Sequence, residues 1–167
     1  MTDYSLNTET FEHDGMQFRV TSYHDVCMGE PWREHDGHGI VSDWTTRSKS
    51  PGEMVLSKDR NSKRYYDFQE SVKIARRDGW NTEPYNWPTK GAQAHAATMS
   101  DFEYIKGWCN NEWCWITIKV ELLDDSGDLI PDTEEYLGGI ESKGDYWLEP
   151  AKDLAGEIVY KLQGMAA

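Results

Sequence analysis

The stretch Trp113–Leu123, WCWITIKVELL, decides the fold class. Trp115, Thr117, Lys119 and Glu121 alternate along it with Ile116, Ile118, Val120 and Leu122. A period of two in β-branched and aromatic residues specifies a strand, because successive side chains leave an extended chain on opposite faces. Alternation places Trp113 and Trp115 together, opposite Ile116 and Ile118. Large apolar groups on both faces make this a central strand, packed on two sides or used at an interface. Core packing and a protein-binding aromatic patch are both open readings of the two tryptophans.

Working outward, Gln17–Cys27 (QFRVTSYHDVC) alternates around Phe18 and Val20 and reads as a first strand. Residues 39–46 and 53–57 read as two more, joined through Ser50-Pro51-Gly52, and residues 134–141 as another. A helix is predicted from about Lys63 to Asp78, with Tyr65, Phe68, Val72 and Ala75 at helical spacing and Gly79 as C-cap. Its bases Lys73, Arg76 and Arg77 suit the negative end of the helix dipole. A loop with Pro84 and Pro88 follows. A second helix is predicted from about Ala92 to Trp108, with Ala96, Met99, Phe102 and Ile105 facing inward. A third begins near Pro150, a residue suited to a first helical position, and carries the stripe Leu154, Ala155, Ile158 and Leu162. The pattern predicts an α+β fold, a mainly antiparallel sheet of about five strands with about three helices packed on it. No linker rich in Pro, Gly or Ser interrupts the chain. Residues 16–167 are therefore expected to form a single domain, and residues 1–15 a flexible acidic arm.

The 167 residues carry a net charge of −13, unevenly distributed. Residues 1–46 hold nine acids and two bases, residues 47–90 six acids and ten bases, and residues 91–167 fifteen acids and five bases. Such acidity disfavours direct binding to nucleic acid or an anionic lipid surface. The bases Arg60, Lys63, Arg64, Arg76 and Arg77 suit phosphate, but they suit equally a role in balancing the acidic arms, within one molecule or across a homodimer. No apolar run reaches the length of a membrane span, and the acidic start does not resemble a secretory signal. Cys27, Cys109 and Cys114 are odd in number and lack CxxC spacing, so reduced thiols and a cytoplasmic location are expected.

Candidate chemistry concentrates in Pro31–Trp44, PWREHDGHGIVSDW. His35, Asp36 and His38 are the candidate catalytic or metal-ligating residues, with Glu34, Asp43, His13 and His24 as helpers. Imidazole and carboxylate suit zinc, manganese or iron, and a neutral imidazole beside a carboxylate is a natural general base. The competing reading is a surface turn in which Asp36 bonds its own backbone and Gly37 supplies a positive φ. Asp124–Glu135, DDSGDLIPDTEE, partly matches a calcium loop, but Leu129 stands where that loop needs glycine, so an acidic hairpin loop is expected. Glycine-rich nucleotide loops, a serine-nucleophile elbow, an HExxH helix and a deaminase motif are all missing. Their absence weighs against an enzyme, and no cofactor is expected.

Three stretches together, DGHGIVSDW (residues 36–44), PGEMVLSKDRNSKRYYDFQESVKIARRDGW (residues 51–80) and LGGIESKGDYWLEPAKDLAGEI (residues 137–158), resemble an uncharacterised family of bacteriophage and prophage accessory proteins. The resemblance covers most of the chain after its first thirty residues and implies a setting in an infected bacterial cell. It carries over no catalytic residue.

The function expected from these features is protein–protein contact with a host or defence protein that has a basic surface. Asp124, Asp125 and Asp128 would stand in for phosphates, and Trp113 and Trp115 would serve as anchors. The alternative is a small metal-dependent or acid–base hydrolase built on His35, Asp36 and His38. Because the HxxH turn offers an incomplete ligand set, excess chelator should leave the melting temperature unchanged. A drop reversed by zinc or manganese would favour the hydrolase.

Overall fold

The computed structural model describes residues 4–166. Among these the chain forms seven strands and four helices in an α+β arrangement, with two antiparallel sheets of four and three strands. Its contacts divide into two compact units where the sequence led us to expect one domain. The first unit joins residues 1–28 to residues 113–167, and the second is the intervening segment 29–112.

In the first unit, β1 (Asn7–His13), β2 (Met16–His24), β6 (Trp115–Leu122) and β7 (Glu135–Glu141) lie side by side in that order. The numbering leaves room for three strands in the second unit. The apolar face of β6 reads as expected, and Phe18, Val20, Ile116, Ile118, Val120 and Leu122 build one core. Helix α4 (Leu148–Met165) closes that core with Ala151, Leu154, Ala155 and Ile158. Burying each large side chain in such a core contributes about 1.5–3 kcal/mol.

The expected flexible arm is corrected over most of its length. Residues 7–13 pair with β2 from Asn7 opposite Ser22 to His13 opposite Met16. Phe11 is buried and stacks on Phe18 at 5.6 Å. The two-residue turn Asp14-Gly15, with φ of 50° and 76°, matches the right-handed twist of a hairpin, which is why an acidic, polar segment still enters the sheet. Residues 1–3 of that arm lie outside the described residues.

A bulge in β7 sets the other edge. Ile116 faces Ile140 but Ile118 faces Leu137, so the extra residue falls at Gly138-Gly139. Gly139 has φ +71°, and a Cβ on Gly138 would come within 2.6 Å of the Asp25 carboxylate. That carboxylate accepts bonds from the N–H of Gly139 (2.8 Å) and of Cys27 (3.0 Å). Both glycines are thus required by geometry.

In the second unit, β5 (Ser62–Asp67) pairs with β4 (Glu53–Asp59) on one side and with the short β3 (Ile40–Val41) on the other. The helix expected from Lys63 starts later, because residues 62–67 are a strand in which Tyr65 and Tyr66 are both buried. Helix α2 (Phe68–Asp78) begins where the Asp67 side chain caps it, accepting from the Glu70 N–H. It ends at Gly79, as the sequence implies. Helix α3 (Lys90–Cys109) is capped by Thr89, and a single turn, α1 (Pro31–Glu34), lies before β3. Leu56, Tyr66, Phe102 and Ile105 form the centre of this unit's core. Among the described residues no helix is long and apolar enough to cross a membrane.

Burial raises the Asp25 carboxyl pKa, but hydrogen bonds from Gly139, Cys27, Thr117 and Met28 outweigh it and hold the group below the usual range. A depressed carboxyl stabilises the fold above its unfolded pKa of about 3.9 and loses that contribution as pH falls through the folded value. Asp25→Asn should therefore lower the melting temperature by several degrees at neutral pH. The gap to the unmodified protein should narrow as pH falls below the unfolded value, as thermal scans across pH can establish.

Candidate functional site

The second unit gathers a polar cluster around one carboxylate. Asp101 lies on α3, and its Oδ1 is 2.6 Å from His38 Nδ1. Its Oδ2 accepts from the Tyr66 hydroxyl at 2.7 Å and from the Gly39 N–H at 2.8 Å. A carboxylate can only accept, so the ring proton of His38 sits on Nδ1. The pair is largely withdrawn from water, with side chains 14% (His38) and 9% (Asp101) exposed. Charge-assisted bonds of this kind are about twice as strong as neutral ones.

Each partner is placed by a local reason. Gly39 approaches so closely that a Cβ would stand 2.2 Å from the Tyr66 hydroxyl. Ser71, buried on α2, donates to the Asp67 carbonyl (2.6 Å) and accepts from the Ile40 N–H (2.9 Å), pinning the strand that follows His38. Burial, and then the charge of Asp101, push the Tyr66 hydroxyl pKa far above its ordinary value, so it remains a donor. The His38 ring stacks on Tyr104 with centroids 5.6 Å apart and planes 10° from parallel. Ala97, Ser100, Asp101 and Tyr104 recur at helical spacing and share one side of α3. With His38, Gly37, Trp80 and Asn81 they line a cavity of about 280 Å3.

His35 caps α1 through its backbone N–H, which donates to the Pro31 carbonyl, and both His35 and Asp36 are exposed. Among the described residues no group of three His, Cys, Asp or Glu side chains is arranged to hold a metal ion. Of the helpers, Glu34 accepts from the Gly29 N–H and Asp43 pairs with Arg33. His13 and His24 belong to the other unit. Of the three candidate residues, segment 31–44 thus supplies His38 to the cluster, together with the backbone N–H of Gly39. Asp101 comes from 63 residues further along.

The proposed partner-binding residues separate into three kinds. Asp125 and Asp128 are exposed on the β6–β7 loop. Asp124 holds that loop, its Oδ1 accepting from the N–H groups of Ser126 (2.8 Å) and Asp128 (2.9 Å). Trp113 and Trp115 are 2% and 5% exposed and pack edge to face at 5.0 Å, with the Lys143 ammonium 5.1 Å over Trp113. As surface anchors they are corrected: their large apolar area is already removed from water.

Four of the ten bases in residues 47–90 pair internally. Arg64 is buried with its guanidinium 5.0 Å from the rings of both Trp32 and Trp44, and it pairs with Glu30 at 3.7 Å. Burial raises the Cys109 thiol pKa, and the Arg64 charge pulls against that shift. Arg47 pairs with Glu53, and Lys73 and Arg77 with their helical neighbours Glu70 and Asp78.

The distribution of acids and bases divides the net charge sharply between the units. The first unit holds 17 acids against five bases, a net −12, whereas the second holds 13 acids against 12 bases, a net −1. The β1–β2 turn and the β6–β7 loop meet at one end of the sheet, where the Leu123 N–H donates to the Gln17 carbonyl. Between them lies a concavity of about 750 Å3 lined in part by Gly15, Gln17, Asp124, Asp125 and Gly127.

No family model, curated protein or solved structure matches the chain. Gly39 provides a direct check on the cluster described above. Gly39→Ala should destabilise the protein by about 3 kcal/mol, since Tyr66 and Ser71 are packed and cannot yield cheaply. Denaturant titration of the two proteins measures the difference.

Proposed function

We propose that this chain is an accessory protein that acts by protein–protein contact, presenting its acidic unit to the basic surface of a partner. The observation that carries this reading is the division of charge: 17 acidic and five basic residues on one unit, near balance on the other. Acid spread merely for solubility has no need of such segregation. A concentrated field steers a cationic partner toward one face and raises its association rate.

The concavity between the β1–β2 turn and the β6–β7 loop supports the same reading. Exposed Asp125 lines it, Asp128 is exposed on the same loop, and its volume accommodates the long side chain of a lysine or arginine. The bacteriophage resemblance of the sequence suggests a partner in the bacterial cytoplasm. A host or defence protein with a nucleic-acid-binding surface fits, because such surfaces are built to receive phosphate charge. Carboxylates on the loop would compete for that surface.

The test reverses charge without breaking the loop. Asp125→Lys, Asp128→Lys and Glu134→Lys together alter exposed residues and spare Asp124, which holds the turn. The partner is captured from bacterial lysate on the immobilised protein, purified, and its binding kinetics measured at two salt concentrations. The triple variant should associate about tenfold more slowly, and added salt should slow the unmodified protein in the same direction. A specific partner indifferent to both salt and the triple reversal would exclude charge mimicry.

A further inference from the structure

We propose that the cavity beside His38 is a binding site for a small, uncharged, planar molecule that donates one N–H or O–H hydrogen bond to His38 Nε2. This goes beyond the acidic-surface reading, since every residue involved lies in the near-neutral second unit.

The donor requirement follows from Asp101. Its carboxylate accepts the hydrogen bond from His38 Nδ1–H, and in the neutral imidazole this leaves a lone pair on Nε2. Among the described residues, no protein group donates to that nitrogen. The carboxylate cannot relax into another arrangement, because Tyr66 and Gly39 hold its second oxygen. Tyr104 stacked on the ring fixes the direction in which Nε2 points.

The remaining lining sets the ligand's character. No lysine or arginine contributes to the cavity, and the one carboxylate is fully engaged with protein donors. An anion or cation bound there would meet no free matching charge. Trp80, Tyr104 and the Ala97 methyl offer apolar surface suited to a flat ring. A volume of about 280 Å3 suits a one- or two-ring molecule and is too small for most drug-sized ligands.

Indole and benzofuran provide the test, because they share shape and differ in that indole donates an N–H where benzofuran has only a ring oxygen. Each is titrated into the full-length protein and followed by amide and indole N–H resonances. Shifts should concentrate at Gly37, His38, Trp80, Asn81 and Ser100, and indole should bind about fivefold to tenfold more tightly, the worth of one hydrogen bond. Asp101→Asn should erase that preference. The asparagine carbonyl can still accept from Tyr66 and Gly39, while its amide donates to Nδ1 and moves the ring proton to Nε2. His38→Phe keeps a ring against Tyr104 without the acceptor and should also bring the two affinities together, which decides the matter should the asparagine variant fail to fold. Equal affinity for the two probes in the unmodified protein overturns the proposal. So does the absence of shifts at the cavity, or an indole preference that survives His38→Phe in a folded protein.

Discussion

The pairing of β2 with β6 is the constraint on which the first unit depends. It sets Phe18 opposite Leu122 and His24 opposite Ile116, joining the two ends of the chain across the whole of the second unit. Closing a loop of about ninety residues costs about 4 kcal/mol in chain entropy beyond a length-independent term. What offsets this is the core contributed from both sides of the gap, Phe18 and Val20 from one, Ile116, Ile118 and Val120 from the other. β1 and β7 then add to a pair already formed, and each is secured by a turn or bulge that only particular residues allow. Asp14-Gly15 does this at one edge, and Gly138-Gly139 under Asp25 at the other.

The second unit is contiguous and organised differently. Its apolar core is modest, and a polar cluster centred on Asp101 ties together the segment after α1, the strand β5 and the helix α3. A buried carboxylate is tolerated only when donors replace its lost water, and here three donors do so, two from adjacent residues His38 and Gly39 and one from Tyr66 on β5. Removing any one of them leaves a charge under-satisfied, so the cluster specifies the arrangement of these elements as well as stabilising it. The same arrangement orients His38 toward the cavity. Structure and binding geometry therefore have a common cause.

Charge divides along the same line as the fold. The second unit is near neutral because it holds 13 acids and 12 bases, and Arg47, Arg64, Lys73 and Arg77 among them are paired internally. The first unit has few bases with which to do likewise, and its excess acid remains available to a partner. The proposed interaction surface and the proposed ligand cavity differ in chemistry and lie in separate units.

The sequence by itself determined the elements whose signal is periodic or local. Alternation from Trp115 to Leu122 yielded β6, the stripe Leu154, Ala155 and Ile158 yielded α4, and Gly79 marked the end of α2. Those features depend on neighbours in the chain, and the α+β class followed from their order. The tertiary structure alone decided the rest. Residues 7–13 became a strand because β2 was there to pair with them, and residues 62–67 left the expected helix because β4 was. Trp113 and Trp115 were legible as large apolar residues, but whether they faced water could be known only from the packing. His38 stood out in its turn, whereas Asp101 looked like one acid among many on an ordinary helix. The bond between them joins positions 63 residues apart, and no local pattern encodes a contact of that range.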